Sequence, residues 1–210
     1  MSVPFLRSAW SLRRALVPLA WALVLGPDTS AAQLSTTRGW SLGVHAIGTS
    51  LTVEGSEARN GGGMSAHVGY GFNRIVTGFL HVDGSQIEID ASQVNGTWGL
   101  AHAEVGARFH FANSLRRWVP YLEGSAGARS VGVQDATVSG QRAGKVSFNG
   151  PAVTFGAGLS TFFRRSLAFD LSMKWTGGQF TEVDVGGFAL QNLEIDAASY
   201  RFGIGLVWWP

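Results

Sequence analysis

"AHAEVGARFHF", residues 101–111, alternates in polarity from one end to the other. Ala101, Ala103, Val105, Ala107, Phe109 and Phe111 share one parity, and His102, Glu104, Gly106, Arg108 and His110 take the other. Successive side chains of a β-strand point to opposite faces. The stretch therefore predicts a strand with one apolar face and one face of acid, base and imidazole. The fold depends on which face is buried. The function depends on whether the polar face is a reactive site or a structural interior.

Seven further segments repeat the pattern, and the alternation predicts strands at 39–54, 63–72, 76–86, 97–111, 118–133, 151–163, 167–177 and 194–208. Met64, Ala66, Val68, Tyr70 and Phe72 alternate with Ser65, His67, Gly69 and Gly71; Leu167, Phe169, Leu171, Met173 and Trp175 alternate with Ala168, Asp170, Ser172 and Lys174. Short connections at 73–74, 113–117 and 164–166 alternate with longer polar ones at 55–62, 87–96, 134–150 and 178–192. An up-and-down membrane barrel has this asymmetry, with tight periplasmic turns and longer outer loops.

The N-terminal residues belong to a different signal. Arg7, Arg13 and Arg14 precede the apolar run "ALVPLAWALVLG" (15–26), and "TSAA" (29–32) supplies small residues before Gln33. These features predict a secretory signal peptide over 1–32 and a barrel domain over 33–210. The chain has 16 Lys+Arg and 14 Asp+Glu; the leader takes Arg7, Arg13, Arg14 and Asp28, leaving 13 of each. The cationic excess thus belongs to the leader and points to no nucleic-acid partner. Cysteine is absent, so there is neither a disulfide framework nor a thiol for lipid attachment. Charged residues make up 14% of the chain, against ~25% in an ordinary soluble domain. Past the leader, no apolar run approaches the ~18 residues of a membrane helix. With 29 glycines and 11% aromatics, the composition points to a membrane β-barrel.

Two architectures use eight amphipathic strands. A soluble barrel of the lipocalin kind turns apolar residues inward, whereas a membrane barrel turns them to lipid and fills its lumen with polar ones. Here the polar face holds Gly, Ser, Thr and His with opposite charges among them, rather than the Lys and Glu of a water-facing wall. Such residues suit a narrow lumen, and the Gly-x-Trp opening of lipocalins is not matched by "RGW" (38–40). The expected fold is an all-β, eight-stranded, up-and-down antiparallel transmembrane β-barrel. Trp40, Phe72, Phe109, Phe111, Trp118, Tyr121, Phe163 and Trp208 lie beside chain ends or short turns, which predicts an aromatic girdle at one rim, with Trp175 at the other. Trp98 has inward parity, so it either follows a bulge or caps the lumen.

On these features, and on "YRFGIGLVWW" (200–209), the chain resembles the eight-stranded outer-membrane barrels of Gram-negative bacteria, the OmpA/OmpX-like and opacity-protein-like families, over about residues 39–210. Tyr200, Phe202, Ile204, Leu206 and Trp208 look like the C-terminal assembly signal of those families, displaced because Trp209 and Pro210 follow where the families end on Phe. The resemblance implies location in the cell outer membrane, with its lipid and its assembly machinery as partners.

The chemistry-bearing residues divide as follows. His45, His67, His81, His102 and His110 all have inward parity, but they are spread over several strands. They are expected to hydrogen-bond within the lumen rather than to converge on a metal. "HVDGS" (81–85) puts His81, Asp83 and Ser85 on one face, yet alternate residues of a strand lie ~7 Å apart, beyond the ~2.6–3.2 Å of a nucleophile–base hydrogen bond. The glycines at 61–63 and in "GYG" (69–71) lack the helix and Lys of a phosphate loop. Neither a catalytic site nor a cofactor is expected. Instead the turn at 113–117 places Arg108 opposite Tyr121 and diagonal to Glu123, with Glu104 near Ser125. Arg129, Asp170, Lys174 and Arg201 share the same parity, and together these charges predict a paired network plugging the lumen. The function expected is that of a structural or surface-interaction barrel presenting four outer loops to an unnamed ligand. The alternatives are a narrow solute pore and an enzyme modifying lipid A.

Overall fold

The computed structural model describes residues 36–87, 94–95, 98–111, 117–138, 141–185 and 187–210, so the expected leader lies outside the described residues. Eight long strands make up the architecture: β1 (Gly39–Val53), β2 (Arg59–Gly71), β3 (Val76–Ile87), β4 (Trp98–His110), β5 (Trp118–Val138), β6 (Gln141–Arg164), β7 (Leu167–Val185) and β8 (Phe188–Trp208). Each pairs antiparallel with the next, and β1 also pairs with β8, so the sheet closes into a ring. Val94–Asn95 adds a two-residue ladder on Val138 and Thr137 of β5. Closure matters physically, because a ring leaves no edge of unpaired peptide groups to face hydrocarbon.

The two faces of β4 answer the opening question. Val105 is 60% exposed, whereas its neighbour Glu104 is 4% exposed. His102, Arg108 and His110 are buried with Glu104, and the apolar parity is outside. Leu42, Val44, Leu80, Val82, Phe155 and Ile204 continue that exposed apolar wall around the ring. Water would not tolerate so continuous an apolar surface, and lipid requires it. The lipocalin arrangement is thereby excluded.

Two of the expected long loops are strand instead. β5 and β6 stay paired out to Val138 and Gln141, and β7 and β8 to Val185 and Phe188, so most of 134–150 and 178–192 belongs to extended hairpins. The alternation fades there for two reasons. Beyond the lipid the outward face no longer needs apolar residues, as at Thr181, Gln191 and Glu194. Register shifts also break the parity between Asn149 and Ala152 and between Phe180 and Glu182. Near the second shift Asn192 takes φ 67°, a left-handed conformation that asparagine accommodates better than most residues.

The short turns have their own chemistry. Asn73 Oδ1 accepts from the backbone N–H of Ile75 at 2.7 Å and of Val76 at 2.8 Å, which folds the chain back between β2 and β3. Between β4 and β5, Phe111 N–H donates to Pro120 O at 2.9 Å. Arg108 therefore stands across from Glu123, and Tyr121 across from His110. This register is two residues from the expected one. A two-residue step preserves every face and changes every partner. Tyr121 also does not join the girdle: it has the parity of Glu123, points into the lumen and is 1% exposed.

Candidate functional site

The site with the densest polar chemistry is the lumen. Alternation on all eight strands aims short side chains and charges at one axis, and in a barrel this narrow those charges must meet. Arg108 (β4) binds Glu123 (β5) through Nη2 at 2.8 Å and Nε at 2.9 Å, both on Oε2. Lys174 (β7) approaches the other oxygen, Oε1, at 2.7 Å. The Arg108 guanidinium also lies 3.9 Å from the centroid of the Tyr121 ring, a cation–π contact strengthened by exclusion of water.

Arg201 (β8) forms the second centre. Its Nη1 bonds to Asp83, while Nη2 donates to Glu104 Oε1 at 2.5 Å and to Thr176 Oγ1 at 2.5 Å. Thr154 and Ser125 hydroxyls donate to the two oxygens of Glu104, at 2.8 Å and 3.1 Å. Asp83 also accepts from His102 Nδ1 at 2.8 Å, and His81 Nε2 lies 3.3 Å away. Asp170 (β7) accepts from His45 Nε2 at 3.0 Å, Tyr121 Oη at 2.8 Å and Ser160 Oγ at 2.6 Å. Each buried carboxylate thus faces a cation or several donors, which offsets the large cost of removing its charge from water.

Of the seven residues expected in the network, Glu104, Arg108, Glu123, Lys174, Arg201 and Asp170 lie in this central layer. Arg129 does not. Its guanidinium donates to the carbonyls of Gly178 and Ala197, both at 3.1 Å, and lies 4.6 Å from the Phe180 centroid. His45 and His102, expected to hydrogen-bond within the lumen, pair with Asp170 and Asp83; the parts played by Asp83 and Tyr121 were not legible in the sequence. Their inward parity was visible, but parity alone does not say which residues from six strands share a depth.

The lumen is also closed by apolar packing at both ends, which was not anticipated. Leu51, Ile87, Leu100, Val131, Phe180 and Ala197 form a buried cluster at the loop end, with Trp98 packed against it. Trp98 is therefore a lumen cap. At the turn end Val119, Phe162, Ala168, Val207 and Trp209 form a second cluster, with the Phe162 and Trp209 rings 5.0 Å apart. Between the clusters, a small cavity beside His67 and Lys174 has about 10 Å³, room for roughly one water molecule.

The imidazoles stack instead of converging. His45 and His67 have centroids 5.5 Å apart at 26°, and His67 and His81 6.5 Å apart at 25°. Parallel rings do not direct their nitrogens at one point, as a tetrahedral metal needs. Against the ~7 Å backbone spacing, the His81 side chain does reach Asp83, at 3.3 Å. Ser85, however, bonds Thr49 Oγ1 at 3.1 Å, and Asp83 is shared with Arg201 and His102, so the three are not arranged as a nucleophile–base relay. On the outside, Trp40, Phe72, Phe111, Trp118, Phe163 and Trp208 are exposed around the turn end. Tyr200, Phe202, Ile204, Leu206 and Trp208 face outward along β8. At the opposite rim Trp175 stacks on Phe155, with centroids 6.4 Å apart.

By sequence the chain matches no described protein family and no curated protein. By structure it is similar to surface protein A of Neisseria, with a TM-score of 0.61 at 13% identity over 81% of this chain and 96% of that one. It is also similar to Ail, the attachment invasion locus protein of Yersinia pestis, with a TM-score of 0.53 at 14% identity over 82% of this chain and 100% of that one. Ail has a further structure in complex with the heparin analogue sucrose octasulfate. The fold is that of the eight-stranded outer-membrane β-barrels.

Proposed function

We propose that this protein is an exported structural or surface-interaction barrel of the outer membrane, with a lumen that does not conduct and a loop end that meets partners outside the cell. The observation that carries the reading is the filled lumen, in which ion pairs occupy the middle and an apolar cluster closes each end. A solute pore needs a continuous wet path, and the ion pairs at mid-barrel and the apolar clusters on either side of them stand across it. A lipid-cleaving Ser–His site needs its imidazole at the lipid face, and all five histidines are buried inside. The outward residues of β8 suit recognition by the assembly machinery that inserts such barrels. The leader over 1–32 suits the export that must come first.

The loop end also constrains the partner. Glu54, Glu57, Glu182, Asp184, Glu194 and Asp196 lie there with Arg59, and Arg142 and Lys145 sit on the outer reach of β6. An acidic surface repels a polysulfated ligand of the kind bound to Ail, so a cationic or neutral partner fits better. The test uses the absence of cysteine. Gly187→Cys at the β7–β8 tip should react with a membrane-impermeant maleimide on intact cells, and Arg165→Cys in the β6–β7 turn should not. The opposite labelling pattern, or recovery of the protein as a soluble periplasmic monomer, refutes the reading.

A further inference from the structure

The balanced net charge conceals a separation of charge along the barrel. At the turn end Arg38, Arg74, Arg117, Arg164 and Arg165 are all exposed. Among the described residues of that rim there is no Asp or Glu side chain. The lumen holds four carboxylates (Asp83, Glu104, Glu123, Asp170) and four cations (Arg108, Arg129, Lys174, Arg201), so it contributes no net charge. The excess of carboxylates lies wholly at the loop end. The aromatic girdle independently fixes what the arginines face, because Trp40, Trp118 and Trp208 are exposed at the same rim. Trp rings favour the headgroup layer.

From this juxtaposition we propose that the turn rim is a binding surface for anionic phospholipid headgroups, selecting them from the surrounding bilayer leaflet. Guanidinium groups present paired N–H donors that match phosphate oxygens, and a ring of them gathers several headgroups at once. Arg164 and Arg165 follow Phe163 in the chain, and Arg38 lies two residues before Trp40, so these three cations stand next to exposed rings of the rim. By the short-turn rule this is the periplasmic leaflet.

The inference rests only on the barrel spanning a bilayer. The purified full chain is inserted into phosphatidylcholine vesicles containing spin-labelled phosphatidylglycerol or phosphatidylcholine of identical chains. Heat-shifted gel mobility reports insertion separately. Phosphatidylglycerol should associate several-fold more strongly. The preference should fall towards equality in Arg38→Gln/Arg164→Gln/Arg165→Gln, which removes three of the five described rim cations, and Glu54→Gln/Asp196→Asn should leave it unchanged. In the unmodified protein it should also fall steeply as salt is raised. Equal association of the two lipids overturns the proposal, as does a preference that survives salt or the three substitutions. Loss of the preference to inorganic phosphate at constant ionic strength also overturns it, by assigning the rim to free phosphate.

Discussion

Arg108 on β4 and Glu123 on β5 are direct cross-strand partners, and two nitrogens of the guanidinium reach the same carboxylate oxygen at 2.8 Å and 2.9 Å. Lys174 shares that carboxylate from β7, so one acid ties together three strands across the lumen. Glu123→Ala leaves two buried cations without their counter-charge. It should destabilise the inserted barrel by about 3–5 kcal/mol in urea unfolding from vesicles. Replacing all three partners, as in Arg108→Met/Glu123→Leu/Lys174→Met, should restore most of that loss, because apolar groups in place of the whole triad leave no uncompensated charge. A single substitution costing no more than an exposed surface change would show that water already screens the pair.

Gly156 lies opposite Glu123 on one side and Lys174 on the other. A Cβ built there would sit 3.0 Å from Glu123 Cγ and 3.2 Å from Lys174 Cγ. Gly156→Leu should therefore push the network apart and cost at least ~1–3 kcal/mol. Its neighbour Phe155 is exposed on the outer wall, and Phe155→Leu should be much milder. Comparison of the two unfolding midpoints checks this, and equal effects would count against a crowded interior.

The outer wall makes the complementary prediction. Val105→Arg places a charge on the lipid face and should cost ~2–4 kcal/mol if the residue lies near the midplane. The measurement is reversible unfolding from vesicles. A neutral result would mean that this face does not meet hydrocarbon.

Most of the barrel was legible because alternation has a mechanical cause: each face of every strand meets a single environment through the membrane. The inside-or-outside question was answerable from residue type, since Gly, Ser, Thr and His suit a crowded lumen. Alternation stops being informative where the environment changes. Beyond the lipid, β5–β8 continue by backbone pairing with polar residues such as Thr181, Gln191 and Glu194 among the outward positions, and the shift near Asn192 breaks the parity. Depth was equally hidden. Arg129 has the parity of the network but lies at the level of Phe180. Tyr121 has a girdle residue's position beside a turn but a lumen residue's parity. Trp209 follows the end of β8, yet its backbone N–H donates to Ser166 O at 2.7 Å and its ring packs on Phe162. It closes the lumen where the usual assembly signal would have ended.

The polar face of residues 101–111 is buried in the lumen, and we infer that the lumen is shut. Planar-bilayer recording of the purified full chain tests it most directly. The unmodified protein should show no stable conductance steps, with or without applied voltage. A sustained, sizeable and reproducible conductance would contradict it and make the barrel a pore.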